Sequence, residues 1–218
     1  FLARSGSFNS DDIVEIILDN SRPAKYIAER FYQAFVGEPL DGRTIEAIAR
    51  DFRASNYSIR VLLRSLLNSQ PFWSDRNRGN QIKSPVDMVV GLARLSGWQG
   101  DIEVLVKRMN GMGQQLFRPP NVKGWRGGAA WISSIWLRKR NGFIKTLTKV
   151  FGRRGGDMGG VEHMANGMHL LMVGNGRSPD ETEAIVLAVP PVQEVSLDRL
   201  SPTAHLTALL LDPAFQMK

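Results

Sequence analysis

The apolar residues of this chain recur at helical spacing, and no stretch shows the alternation of a strand. "DGRTIEAIARDFRAS" sets Ile45, Ile48, Ala49 and Phe52 on one side of a 3.6-residue repeat. "YSIRVLLRSLLNS" does the same with Leu62, Leu63, Leu66 and Leu67, and leaves Arg60 and Arg64 one turn apart on the outer side. "RPAKYIAERFYQAFVG" aligns Ile27, Phe31, Ala34 and Phe35. Its Pro23 sits in a first turn, where a missing N–H costs little, and Gly37 stops it. Segments of this period bury one stripe each against other helices. The predicted fold is therefore all-α, a compact multi-helix array with short loops.

Capping residues mark the ends. Asn9 and Ser10 precede Asp11 and Asp12, and Ile13, Ile16 and Ile17 follow. Acidic side chains in a first turn complement the helix dipole. Ser84, Pro85 and Asp87 have capping-box spacing, and Ser178–Pro179 opens a further helix. "DIEVLVKRMNGMG" closes on glycine. "WISSIWLRKRNGFIKTLTKVFG" reads as one helix, or as two with a break at Gly142, with Ile135, Phe143, Leu147 and Val150 inward. The expected organisation is a helical core over 1–151, which includes a basic loop-helix segment over 111–151. A glycine-rich linker follows over 152–177, then C-terminal helices over 178–218 that pack on the core.

The stretch "GMGQQLFRPPNVKGWRGGAAWISS" from Gly111 fits neither pattern. Pro119 and Pro120 stiffen it and bias Arg118 away from helix. Gly124, Gly127 and Gly128 permit tight bends. Gln114 and Gln115 offer amides to loop backbone. Phe117, Pro119, Pro120, Trp125 and Trp131 are the expected anchors of one long, ordered loop, with both indoles buried.

No catalytic constellation emerges. The chain has no cysteine, which removes disulfides, thiolate metal sites and cysteine nucleophiles. His163 and His169 lack the i, i+4 spacing of paired ligands, and no HExxH occurs. "VGNGRS" lacks the spacing of a phosphate loop. There is no GxSxG elbow. Neither a metal nor a cofactor is expected, and the reading leans away from an enzyme. No apolar run approaches the length of a transmembrane helix.

Charge is the more informative signal. The formal net charge is +7, yet residues 104–156 hold 12 basic side chains and no acidic one. Arg118, Lys123, Arg126, Arg138, Lys139, Arg140, Lys145 and Lys149 are interleaved there with Phe117, Trp125, Trp131, Trp136 and Phe143. These eight cations are the candidate contacts for a polyanion, either a nucleic acid or an acidic polysaccharide, or for an anionic membrane face. The plainer alternative is a solvated helix face neutralised by Glu181 and Glu183 of the acidic tail. It is favoured because long Lys and Arg stems commonly cover apolar surface.

Residues 113–132 also carry a resemblance. They resemble the pattern G-Q-x-x-F-x-P-P-x-V-x-G-W-x-G-G-x-x-W-I of a bacterial family known as domain of unknown function 1800. "FLARSGSFNSDDIVEIILDNSRPAKYIAERFYQAFV", "SIRVLLRSLLNSQPFW" and "LTALLLDPAFQMK" are similar to other parts of it. The resemblance implies an exported, extracytoplasmic bacterial protein and no particular reaction, while a cytoplasmic location stays open. It also implies a longer whole. The chain is expected to be a fragment whose N-terminal half is missing, with an exposed apolar face for that half or for a partner protein. Two readings stay open: a non-catalytic binding or assembly module, and the C-terminal part of a polymer-acting enzyme whose catalytic residues lie in the missing half.

Overall fold

The computed structural model describes residues 1–149, 167, 176–193 and 200–218. Among these residues the chain is helical, without a strand; one isolated antiparallel bridge joins Ile82 and Met217. They divide into two compact units, Phe1–Asn80 and Gln81–Lys218. The division falls inside the stretch expected as a single core over 1–151, because two separate sets of apolar side chains cluster on either side of Asn80. Most of the expected linker over 152–177 lies outside the described residues, as do Val150, His163 and His169.

The first unit contains α1 (Ser10–Leu18), α2 (Ser21–Phe35), α3 (Gly42–Ala54), α4 (Ile59–Leu67) and the short α5 (Gln70–Trp73). Asn9 caps α1 in a full capping box with Asp12, so the opening helix begins as its sequence predicts. The α2 helix is rotated from its expected face. Its buried stripe is Ala24, Ala28, Tyr32 and Val36, whereas Phe35 is exposed and Ile27 and Phe31 are half-buried. A stripe at i, i+4, i+8 that starts with two alanines lets the backbone of α3 come close. That packing outweighs burial of the larger side chains. Ile45, Ile48, Ala49 and Phe52 of α3 are buried as predicted, together with Leu62 and Leu66 of α4. Leu67 faces outward. Tyr57 meets the Phe52 ring edge-on at 5.1 Å and donates its hydroxyl to the Leu18 carbonyl at 2.6 Å, tying α1 to this core.

The second unit contains α6 (Pro85–Leu95), α7 (Ile102–Gly111), α8 (Ser134–Lys149), α9 (Pro179–Val186) and α10 (Pro202–Leu211). Ser84–Asp87 forms the capping box that its spacing predicts, and the helix that opens at Ser178–Pro179 has a capping box of its own between Ser178 and Glu181. Met88, Val89 and Leu92 of α6, Phe143, Ile144 and Leu147 of α8, and Leu206, Leu209 and Leu210 of α10 share one core. The α8 helix runs through Gly142 without a break. Ile135, expected inward, is 65% exposed at its first turn.

Candidate functional site

The loop after α7 begins with a tight glycine turn. Gly113 has φ +93°, and its N–H bonds the Asn110 carbonyl at 3.0 Å. The next residue is tied down: Gln114 accepts the Val86 N–H in its amide oxygen at 3.0 Å, at the start of α6. Residues 115–123 are then exposed throughout. Arg118 N–H bonds the Gln115 carbonyl at 3.0 Å, with Phe117 at φ +61° as the third residue of the turn. Glycine or asparagine usually fills such a place. A second turn is fixed by Asn121, whose side-chain oxygen accepts the Lys123 N–H at 2.9 Å, and by Gly124 at φ +82°. A 3-10 turn over Gly128–Ile132 then buries Trp131.

The expected anchors therefore separate. Trp131 is buried and Trp125 is half-buried. Phe117, Pro119 and Pro120 hold nothing down: Phe117 is 95% exposed, and the two prolines lie in the exposed run. The turn closed onto Gln115 sends the Phe117 ring to solvent. Attachment comes instead from Gln114 and Trp131, at the two ends of the loop.

Helical geometry sorts the cations of α8. Arg138, Lys145 and Lys149 are separated by seven and four residues, so they project from one face, and all three are exposed. Lys139 is exposed and holds its ammonium 4.7 Å from the Trp136 ring centre. Arg118, Lys123 and Arg126 are exposed on the loop. Arg140 must be removed from the candidate polyanion contacts, because its side chain is fully buried. Its place at i−3 and i−4 from Phe143 and Ile144, and i−7 from Leu147, puts it on the inward stripe. That spacing is present in the sequence, but the run Arg138-Lys139-Arg140 disguises it as a continuous basic patch.

Glu181 is engaged at the start of its own helix. Its carboxylate accepts the Ser178 N–H at 2.9 Å, and this bond, then the Ser178 hydroxyl, holds it below the usual carboxylate range. Among the described residues no ion pair joins Glu181 or Glu183 to any of the candidate cations.

Sequence reasoning missed a second arrangement in the same unit. Arg140 donates to the Gln216 side-chain oxygen at 2.9 Å and to the Lys83 carbonyl at 2.6 Å, and burial lowers its pKa to about 10. Lys83 lies 4.2 Å over the Phe215 ring and donates to the Phe215 carbonyl at 2.8 Å. Burial is the main cause that brings the Lys83 ammonium down to about 8; Arg140 and Lys218 add to the effect and Asp87 opposes it. Asp87 itself accepts from Lys218 at 2.7 Å and from the Ser84 N–H at 2.8 Å. These contacts join the start of α6, the middle of α8 and the 3-10 turn Pro213–Gln216.

A pH dependence follows. Between pH 8 and 10.5 the unfolded chain keeps the Lys83 proton that the folded unit has released, so stability rises with pH across that window. Allowing for solvent screening of a partly exposed amine, the gain is about 1–2 kcal/mol. Denaturant titrations at pH 7.5 and pH 9.5 should show it, and Lys83→Met should remove most of it. An unchanged slope in the variant would contradict the assignment.

Among the described residues no group of three His, Asp or Glu side chains could hold a metal ion, and no helix is long and apolar enough to cross a membrane. The family model described as "Protein of unknown function (DUF1800)" matches residues 1–217. No curated protein and no solved structure matches the chain.

Proposed function

The chain belongs to the DUF1800 family of proteins of unknown function, and we propose that it is a non-catalytic binding or assembly module of an exported protein, with a basic face that contacts polyanions. The observation that supports this reading is the joint exposure of Arg118, Lys123, Arg126, Arg138, Lys139, Lys145 and Lys149 in a segment without a carboxylate. Phe117 and Val122, both almost wholly exposed, stand among the loop cations and offer apolar or stacking contact beside them. Such a surface favours extended anions over one shaped ligand. Its affinity comes from counterion release rather than from a defined pocket. An extracytoplasmic location belongs to the same proposal.

The test is binding to duplex DNA and to immobilised heparin over a range of salt. The variant Arg138→Ser/Lys145→Ser/Lys149→Ser removes one face of α8 and leaves Arg140 in place. It should elute from heparin at lower salt. Its log–log salt slope on DNA should be shallower by about 2–3, since each phosphate contact contributes roughly 0.9. Thermal stability should stay within about 0.5 kcal/mol, because exposed charges contribute little to it. Equal elution of the variant and the parent chain would overturn the proposal.

A further inference from the structure

The first unit contains a groove that the basic face of the second does not explain. It lies along the start of α2 and the second half of α3, and its volume is about 910 Å³. Arg22, Lys25, Arg50 and Arg53 line it, against the single carboxylate Glu46. Lys25 and Glu46 pair at 2.9 Å and offset each other. Three guanidinium groups from two helices remain on one concave surface.

Their commitments are light. Arg53 donates to the Asp19 carbonyl, which fixes its position and consumes one of its five donors. Arg50 reaches no nearer than 4.0 Å to the carboxylate of its neighbour Asp51, and its side chain is 77% exposed. Among the described residues the Arg22 guanidinium has no hydrogen-bond or ion-pair partner. Asp19, the nearest competing carboxylate in sequence, is paired with Arg4 at 2.8 Å. Like charges gathered in a groove repel one another unless an anion sits between them. Ala24 and Ala49 are buried beneath, so the groove wall behind the charges is small and apolar. The α2 helix, 15 residues long, begins at the same groove with its positive end.

We infer that this groove binds a phosphoryl group carried on a small molecule. Planar guanidinium forks match phosphate oxygens in pairs, which an ammonium cannot do. The volume falls within the range of small-molecule sites and exceeds what inorganic phosphate needs. The carrier of the phosphate is either a soluble phosphorylated compound or a lipid headgroup, and both present the same chemistry to the arginines. This inference stands apart from the polyanion proposal, since it concerns the other unit and a discrete ligand.

The experiment is a titration of the whole chain with inorganic pyrophosphate, followed by amide NMR and calorimetry. Saturable binding with one site is expected, with the largest shifts at Ser21–Lys25 and Arg50–Ala54. Arg22→Gln/Arg50→Gln should weaken it at least tenfold and leave the fold unchanged, because both side chains are exposed. Glu46→Gln should tighten it several-fold by freeing Lys25, an effect that a purely structural role for these residues would not produce. The Arg138→Ser/Lys145→Ser/Lys149→Ser variant should bind pyrophosphate as the parent does. Vesicles of phosphatidylcholine containing phosphatidic acid distinguish the sources: capture that is lost in the Arg22→Gln/Arg50→Gln variant assigns the lipid, and its absence beside pyrophosphate binding assigns the soluble compound. The inference is overturned by a lack of saturable binding, by full affinity in the double arginine variant, or by equal loss in the α8 variant.

Discussion

Arg140→Ala is expected to destabilise the second unit by about 3–5 kcal/mol, more than any exposed substitution in the chain. The side chain is fully buried, and its two hydrogen bonds join three segments that are distant in sequence. Removal strands the Gln216 amide oxygen and the Lys83 carbonyl, and each buried acceptor left bare costs about 1–3 kcal/mol. It also opens a cavity beside Ile144 and Leu147, which are themselves fully buried. Arg140→Lys should recover little, because one ammonium on a flexible stem does not reproduce a fork that meets two acceptors at fixed angles. Four of the five tryptophans lie in the second unit, so fluorescence during denaturant unfolding reports its midpoint. A loss below about 1 kcal/mol would show that the guanidinium contributes no more than its displaced hydration.

The second large effect is expected at Gly113. Its φ of +93° lies where L side chains are strained, and a Cβ there would stand 2.7 Å from two carbons of the Trp136 ring. The backbone term costs about 1–2 kcal/mol, and displacing an indole from a packed position adds a comparable amount. Gly113→Ala should therefore cost about 2–4 kcal/mol and shift the fluorescence of Trp136. Gly111→Ala is the internal control. A Cβ at Gly111 meets nothing within 4 Å and its φ is ordinary, so the change should be neutral or stabilising by up to about 1 kcal/mol. Similar losses at the two positions would refute the explanation from backbone and ring contact.

What was legible in the sequence follows from the range of the interactions concerned. Helix caps are short-range devices: helices start beside Asn9, Ser84 and Ser178 where the sequence places them, and the box spacing was legible at Ser84 and Asp87. The α3 stripe was legible because only one face of that helix is apolar. The α2 stripe was not. Large side chains at Ile27, Phe31 and Phe35 outweigh Ala24 and Ala28 on any hydropathy count, and only the close approach of α3 shows that the alanines face inward. The charge reading failed at one residue for a related reason. Composition counts Arg140 with its neighbours, while helical phase separates it from Arg138 by 200°. The groove in the first unit was not legible at all: Arg22 and Lys25 stand 25–31 residues from Arg50 and Arg53, and only the pairing of α2 with α3 brings them together.

The turn at Phe117 has a consequence for covalent integrity. A ring exposed at 95%, in a run of exposed backbone, is open to a protease that cuts after aromatic residues. A cut there would divide the second unit between α7 and α8. Yet Met88 and Leu92 on one side of the break share a core with Ile144, Leu147 and Leu209 on the other. The nick would leave a two-chain complex held by side-chain packing, so this loop could be opened, lengthened or given new termini while the unit that carries it stays assembled.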